Sequence, residues 1–82
     1  SQYVGHVLDI DAEGWATIEV KNKFSVGDQI EIIHPQGNQT ITLEAINRKG
    51  ERVDVAPGNG IQVQIPHMQG KDKALIARII PS

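Results

Sequence analysis

Residues 61–65, Ile-Gln-Val-Gln-Ile, alternate apolar and polar side chains without exception, and Pro66 follows them. A period of two places alternate side chains on opposite faces of a β-strand, so this stretch predicts a half-buried strand that ends at the proline. Residues 15–20 alternate in the same way, with the three even-numbered apolar residues on the face that we expect to be buried. Together the two stretches indicate an antiparallel sheet with one apolar and one polar face.

The apolar composition favours an all-β fold. The chain has twelve Ile and seven Val but only three Leu, together with eight Gly and four Pro. β-Branched side chains lose rotamer freedom in helices and pack well on pleated strands. We expect a small closed or partly open β-barrel of about six to seven antiparallel strands, because closure removes edges that so small a sheet cannot otherwise protect. The seven predicted strands cover residues 4–8, 15–20, 29–32, 40–45, 53–55, 61–65 and 75–80.

Length and cysteine content narrow the classes of protein further. With 82 residues the chain predicts a single β-barrel domain, residues 1–82. It has no cysteine, which excludes disulfides, thiolate metal sites and a cysteine nucleophile within these residues. The longest apolar runs are far shorter than a membrane span, and Ser1-Gln2-Tyr3 does not begin a signal peptide, so we expect no membrane partner.

No catalytic or metal-binding pattern stands out. His6, His34 and His67 are separated by 28 and 33 residues, with no close carboxylate pair beside them, so we expect no metal site. The chain contains neither a Gly-x-Ser-x-Gly elbow nor a phosphate-binding Gly-x-x-x-x-Gly-Lys loop. A barrel this small is filled by its own side chains. We therefore predict that these residues are not an enzyme and hold no cofactor.

Basic residues fall in groups that suit contact with RNA. The first group is Lys21 and Lys23 beside Phe24, the second is Arg48 and Lys49, and the third is Lys71 and Lys73. Lysines beside an aromatic ring on a small barrel suit phosphate contact and base stacking. Because the net charge is -2, any RNA contact has to be a local patch. The candidate RNA-binding residues are Lys21, Asn22, Lys23, Phe24, Arg48 and Lys49.

Trp15 is the only tryptophan in the chain. By alternation it lies on the same side of its predicted strand as Thr17 and Glu19, away from the core. A partly exposed tryptophan is a candidate docking or stacking residue, and the alternative interpretation is that it covers one end of the barrel. The sequence leaves both interpretations open.

The stretch from Lys23 to Ile32 resembles the strand entry of the second-domain β-barrel of translation elongation factors, where an apolar-Gly-acidic turn leads into an alternating strand. Gly27 can adopt the positive φ that such a turn needs, and Asp28 can accept hydrogen bonds from turn amides. The resemblance implies a similar small barrel and says little about function.

A more specific string resembles the C-terminal domain of the collagenase-like peptidase family, peptidase family U32. It comprises Gly14-x-Ala16-Thr17-Ile18-Glu19, Asn22-Lys23-Phe24 and Gly27-Asp28, and the resemblance extends from Tyr3 to about Ile80. Within the family the chain is most similar to the bacterial branch known for prephenate-dependent hydroxylation of the tRNA wobble uridine.

The family resemblance implies an accessory, non-catalytic C-terminal piece of a larger cytoplasmic protein. Its expected partners are the N-terminal catalytic domain of the same chain and tRNA. Two alternatives stay open: a protein-interaction or intrachain docking module that uses Trp15, and a substrate-positioning domain of a peptidase. No set of residues in this chain supports peptidase activity of its own.

Overall fold

A computed structural model of the chain describes residues 1–81 and shows ten β-strands. No helix occurs within that range, and accordingly none of the described residues forms a helix able to cross a membrane. The strands are β1 (Gln2–Ile10), β2 (Ala16–Val20), β3 (Phe24–Ser25), β4 (Gln29–Ile33), β5 (Gln39–Thr42), β6 (Ile46–Arg48), β7 (Glu51–Val53), β8 (Val55–Ala56), β9 (Gln62–Ile65) and β10 (Leu75–Arg78).

Eight strands form one curled antiparallel sheet in the order β5-β4-β10-β1-β2-β9-β6-β7. The remaining two, β3 and β8, pair with each other as a separate ribbon. The all-β prediction is confirmed, and the barrel is the partly open kind because β5 and β7 are the two ends of the main sheet. The strand count exceeds six to seven because β3, β6 and β8 have only two or three residues, too few to show alternation.

The core lies on the concave face of the sheet and follows the predicted alternation. Ile18 on β2, Ile30 on β4 and Ile65 on β9 are fully buried. The polar residues between them on β2 and β9 face outward and remain at least partly exposed. The inward faces assigned from the sequence to these three strands are therefore confirmed.

The last strand differs from the prediction, which placed Leu75, Ala77 and Ile79 on the buried face. The structure buries Ala77, as predicted, but it also buries Ile76 completely and leaves Leu75 45% exposed. Strand β10 pairs with β4 so that Ile76 lies opposite Ile32, whose side chain is in the core. Because five of the six predicted strand residues are apolar, alternation could not decide which face was buried, and the pairing with β4 decides it.

Gly5 marks an irregularity in β1, as the sequence suggested. The register between β1 and β10 shifts between Tyr3 and Gly5. A β-carbon at position 5 would lie 2.3 Å from the backbone oxygen of Glu19 on the neighbouring strand β2. Only glycine allows this close approach of the two strands.

The turn before β4 has the chemistry that the sequence predicted. Gly27 has a φ of 93°, in the left-handed region. The Ser25 amide donates a hydrogen bond of 2.8 Å to Oδ2 of Asp28, and Nε of Arg78 lies 3.2 Å from the same oxygen. Asp28 therefore ties the turn to β10 as well as closing it.

Candidate functional site

A groove lies on the outer, polar face of the sheet, where β2, β9 and the β6–β7 hairpin meet. It is open to solvent and has a volume of about 580 Å³. We call it the outer groove. Its lining residues are Thr17, Asn47, Arg48, Lys49, Gly50, Ile61, Gln62, Val63 and Gln64.

The floor of the outer groove is polar because of the period of two. Thr17 on β2 pairs with Gln64 on β9, and Gln64 in turn pairs with Asn47 on β6. These residues face away from the core, whereas Ile18 and Val63 between them are buried. The floor therefore presents a hydroxyl and several amide groups, each able to donate and accept hydrogen bonds.

Cations lie at one end of the outer groove. Arg48 ends β6, and Lys49 follows it with a φ of 52° at the tip of the β6–β7 hairpin. None of the lining residues that the structure describes is a carboxylate. Glu51 is nearby, since it pairs with Arg48 across the hairpin. The lining thus carries positive charge in a chain whose net charge is -2.

Trp15 and Arg52 stack beyond the other end of the groove floor. The guanidinium carbon of Arg52 lies 5.5 Å from the centre of the Trp15 ring. Nε of Arg52 donates a hydrogen bond of 2.7 Å to Oδ1 of Asn47, which lines the groove. The cation thus links the groove floor to the indole, which is itself half-buried.

Lys21 follows β2 and forms an ion pair with Glu19, with 2.7 Å between Nζ and Oε1. Their hydrogen bond, with charge attraction second, lowers the pKa of Glu19 and raises the pKa of Lys21. Glu19 pairs with Gln62 on β9, so this ion pair borders the same end of the groove as Arg48 and Lys49. The separation of β2 and β6 is about 10 Å, two strand spacings.

The other residues of the first basic group lie elsewhere. Asn22 and Lys23 are exposed and line a second groove of about 470 Å³, together with Asp28 and Arg78. The side-chain amide of Asn22 donates a hydrogen bond of 2.7 Å to the Tyr3 carbonyl oxygen, which ties it to β1. The group that is contiguous in sequence is therefore divided between two surfaces.

Phe24 is a core residue. It is 1% exposed and pairs with the fully buried Ala56 between β3 and β8. A ring in this position cannot stack on a nucleic-acid base, so its predicted part in RNA binding does not hold for this fold. Two other aromatic side chains are accessible: Trp15 is half-buried, and Tyr3 on β1 is 42% exposed.

Charge in the sequence predicts Lys21, Arg48 and Lys49 as site residues, but it does not predict the polar residues that lie between them in the structure. Those residues are Gln62, Gln64 and Asn47, which carry no charge and so do not belong to a basic group. The alternation of residues 61–65 does indicate that the two glutamines face outward. Arg52 is close to Arg48 and Lys49 in the sequence, but it reaches a different part of the site. Its contact with Trp15 spans 37 residues and depends on the strand order.

The histidines are dispersed. His6 bonds through Nδ1 to the Tyr3 hydroxyl at 3.1 Å, and His67 lies 2.9 Å from Oε2 of Glu44 on the surface. Among residues 1–81 there is no group of three or more histidine or carboxylate side chains that could hold a metal ion.

Comparison with known proteins gives consistent results. Residues 1–78 match the Peptidase family U32 C-terminal domain. Two curated relatives are called tRNA hydroxylation protein P. The protein from Escherichia coli K12 is 47% identical over 66 residues, which are 79% of this chain and 15% of the relative. The protein from Haemophilus influenzae is 41% identical over 81 residues, 94% of this chain and 18% of the relative.

A solved structure shares the fold. The crystal structure of the C-terminal domain of a Geobacillus thermoleovorans protein described as a U32 peptidase has a TM-score of 0.85 and 25% sequence identity, and the match covers 96% of this chain and 93% of that one. Its selenomethionine variant has a TM-score of 0.78 at 26% identity. The chain therefore spans less than a fifth of the curated relatives it matches, yet nearly the whole of a separately crystallised domain.

Proposed function

Because the chain belongs to the U32 C-terminal domain family, we propose that it is an accessory, non-catalytic domain that contacts tRNA within a tRNA-hydroxylating protein of the cytoplasm. The observation that carries the proposal is its identity of 47% and 41% to two proteins named for tRNA hydroxylation. Hydroxylation of the wobble uridine is the specific reaction that we assign to the parent protein.

In this proposal the reaction and any cofactor belong to the rest of the parent protein. The matched segment is 15% and 18% of the two relatives, so more than four fifths of each lies outside it. The side chains of the outer groove are amides, a hydroxyl and cations. Such groups suit binding and orientation of a polyanion better than bond cleavage.

The charge arrangement supports a contact with phosphate groups. Arg48 and Lys49 are on the groove lining, and Lys21, in its ion pair with Glu19, borders the same end of the groove. Each phosphate that a cation neutralises releases counterions, so the affinity should fall as salt rises. A short row of cations gives a modest affinity, consistent with an accessory domain that assists a larger RNA-binding protein.

The test is a titration of fluorescently labelled tRNA with the 82-residue chain, read by anisotropy at several salt concentrations. The double variant Arg48→Gln/Lys49→Gln should bind about tenfold more weakly and have a shallower salt dependence, by roughly 0.7–0.9 per lost contact. The matched control Lys71→Gln/Lys73→Gln removes the same charge from the β9–β10 loop and should bind like the unaltered chain. Equal losses in the two variants would contradict a localised contact.

One surface favours a second candidate function, docking onto the rest of the parent protein. Tyr3 and Leu75 are 42% and 45% exposed on the neighbouring strands β1 and β10. Exposed apolar side chains on adjacent strands are typical of a surface that another domain covers. NMR shift changes around Leu75 on adding the separate N-terminal part would support docking, and changes confined to the outer groove would contradict it.

A further inference from the structure

The Trp15 ring is held in a defined position at the margin of the outer groove. Arg52 stacks on it at 5.5 Å and is itself anchored to Asn47 by a hydrogen bond of 2.7 Å. The ring is half-buried, so part of its surface stays accessible to a ligand. A fixed aromatic ring backed by a guanidinium group is the arrangement on which an unstacked base binds with little loss of side-chain entropy.

The groove floor offers the second requirement, groups that bond to the edges of a base. Gln62 and Gln64 are exposed on β9, and Thr17 lies beside them on β2. In the part of the chain that the structure describes, the two glutamine amides have no side-chain hydrogen-bond partner. They are therefore free to donate to and accept from the polar edges of bases.

The dimensions favour an unpaired strand. Gln62 pairs with Glu19, which is four residues after Trp15. Four residues of extended strand span about 13 Å, so this is the distance along the groove from Trp15 to Gln62. Over this distance the surface changes from an aromatic ring, through neutral amides, to the cations Arg48 and Lys49. A double helix keeps its base faces stacked inside, where Trp15 could not reach them, whereas an unpaired loop exposes them.

We infer that the outer groove binds an unpaired RNA segment, with a base stacked on Trp15, base edges bonded to the glutamine amides, and phosphates at Arg48 and Lys49. This inference rests on the proposed function, because it names the part of an RNA that the domain would contact. It assigns specificity for unpaired RNA to Trp15 and general affinity for phosphate to the two cations.

Because Trp15 is the only tryptophan, its fluorescence reports directly on the proposed contact. We expect an unstructured oligouridylate to quench this fluorescence, and a perfectly paired RNA duplex of equal phosphate number to leave it nearly unchanged. Stacking of one base should make Trp15→Ala about 5- to 150-fold weaker for labelled oligouridylate. Trp15→Phe, which keeps an aromatic face, should retain most of the affinity.

The outcomes separate this inference from the proposed function. Arg48→Gln/Lys49→Gln should weaken the binding of both RNAs, whereas Trp15→Ala should weaken only that of the oligouridylate. If both RNAs bind equally well and Trp15→Ala changes neither affinity, the inference fails while the proposed contact with RNA stands. If the unaltered chain binds neither of these RNAs nor tRNA, both fail. Far-UV circular dichroism and the thermal midpoint verify that each variant is folded. If Trp15→Ala is not folded, Trp15→Leu, which keeps much of the bulk but has no aromatic face, provides the test and should show the same selective loss for the oligouridylate.

Discussion

Replacement of Phe24 by alanine tests whether this ring stabilises the fold or contacts a ligand. The ring is 1% exposed and belongs to the core cluster that β2, β4 and β9 build. Its backbone pairs with Ala56, so the ring joins the β3–β8 ribbon to the main sheet. Removing it leaves a cavity at the junction of two sheets, where the short ribbon has few other contacts with which to close the gap.

The expected loss is large relative to the total stability. Phenylalanine-to-alanine changes in cores cost about 3–5 kcal/mol. At roughly 0.05–0.15 kcal/mol per residue, a chain of 82 residues has a free energy of unfolding of about 4–12 kcal/mol. Phe24→Ala should therefore remove about a quarter or more of the stability, and Phe24→Leu, which keeps most of the volume, should cost less than half as much.

Urea denaturation followed by Trp15 fluorescence and circular dichroism measures both losses. With a denaturant slope of about 1 kcal/mol per molar, Phe24→Ala should lower the urea midpoint by roughly 3–5 M. At low temperature, where the variant is still folded, its affinity for tRNA should match that of the unaltered chain. A loss of stability below about 1 kcal/mol, accompanied by a clear loss of RNA affinity, would refute the core assignment and restore Phe24 as a binding residue.

Three further changes test contacts on which the fold and the groove depend. Gly5→Ala should destabilise the chain by about 1–3 kcal/mol in urea denaturation, because the new β-carbon would overlap the β2 backbone; a neutral result would mean that the two strands are further apart. Asp28→Ala should lower the thermal midpoint more than Arg78→Gln does. Both variants lose the partly exposed ion pair between Asp28 and Arg78, which contributes less than about 1 kcal/mol, but only Asp28→Ala also loses the hydrogen bond from the turn amide. The pKa of Glu19 is lowered in the folded state, so its pairing with Lys21 stabilises the fold above the unfolded carboxyl pKa, and this stabilisation is lost as the pH falls through the folded value. Lys21→Gln should therefore raise the pKa of Glu19 in an NMR titration of its carboxyl carbon, and an unchanged pKa would exclude the ion pair.

The parts of the fold that could be predicted are those in which one strand face is apolar and the other polar. On β2 and β9 this pattern fixes both the strand and the buried side, since Ile18 and Val63 alternate with polar neighbours. It fails on β10, where Leu75 and Ile76 are both apolar and only the pairing with β4 decides which is buried. Local pattern determines a strand, but a partner strand determines an ambiguous face.

The candidate site could be predicted only in part, for a related reason. A cluster of basic residues is visible in a sequence, and Arg48 and Lys49 do lie on a groove. Neighbouring residues in sequence need not share a surface, and Phe24 is in the core although it follows two exposed residues. The contact between Trp15 and Arg52 depends on the order β2-β9-β6-β7, which no local pattern encodes.

The net charge of -2 is compatible with a surface for RNA because strand faces separate the charges. The period of two places Thr17, Gln62 and Gln64 on the outer face as neutral groups, so the lining carries no carboxylate among the described residues to oppose Arg48 and Lys49. Of the acidic residues near the groove, Glu19 is paired with Lys21. A polyanion that approaches this side meets the charges of Arg48 and Lys49 within a Debye length of about 8 Å, where screening by salt is incomplete. If the sign of the local lining, and not the sign of the whole chain, decides whether RNA binds, cancelling the lining charge with Arg48→Glu should weaken tRNA binding by about tenfold, whereas the same charge change at Lys73 should leave it intact.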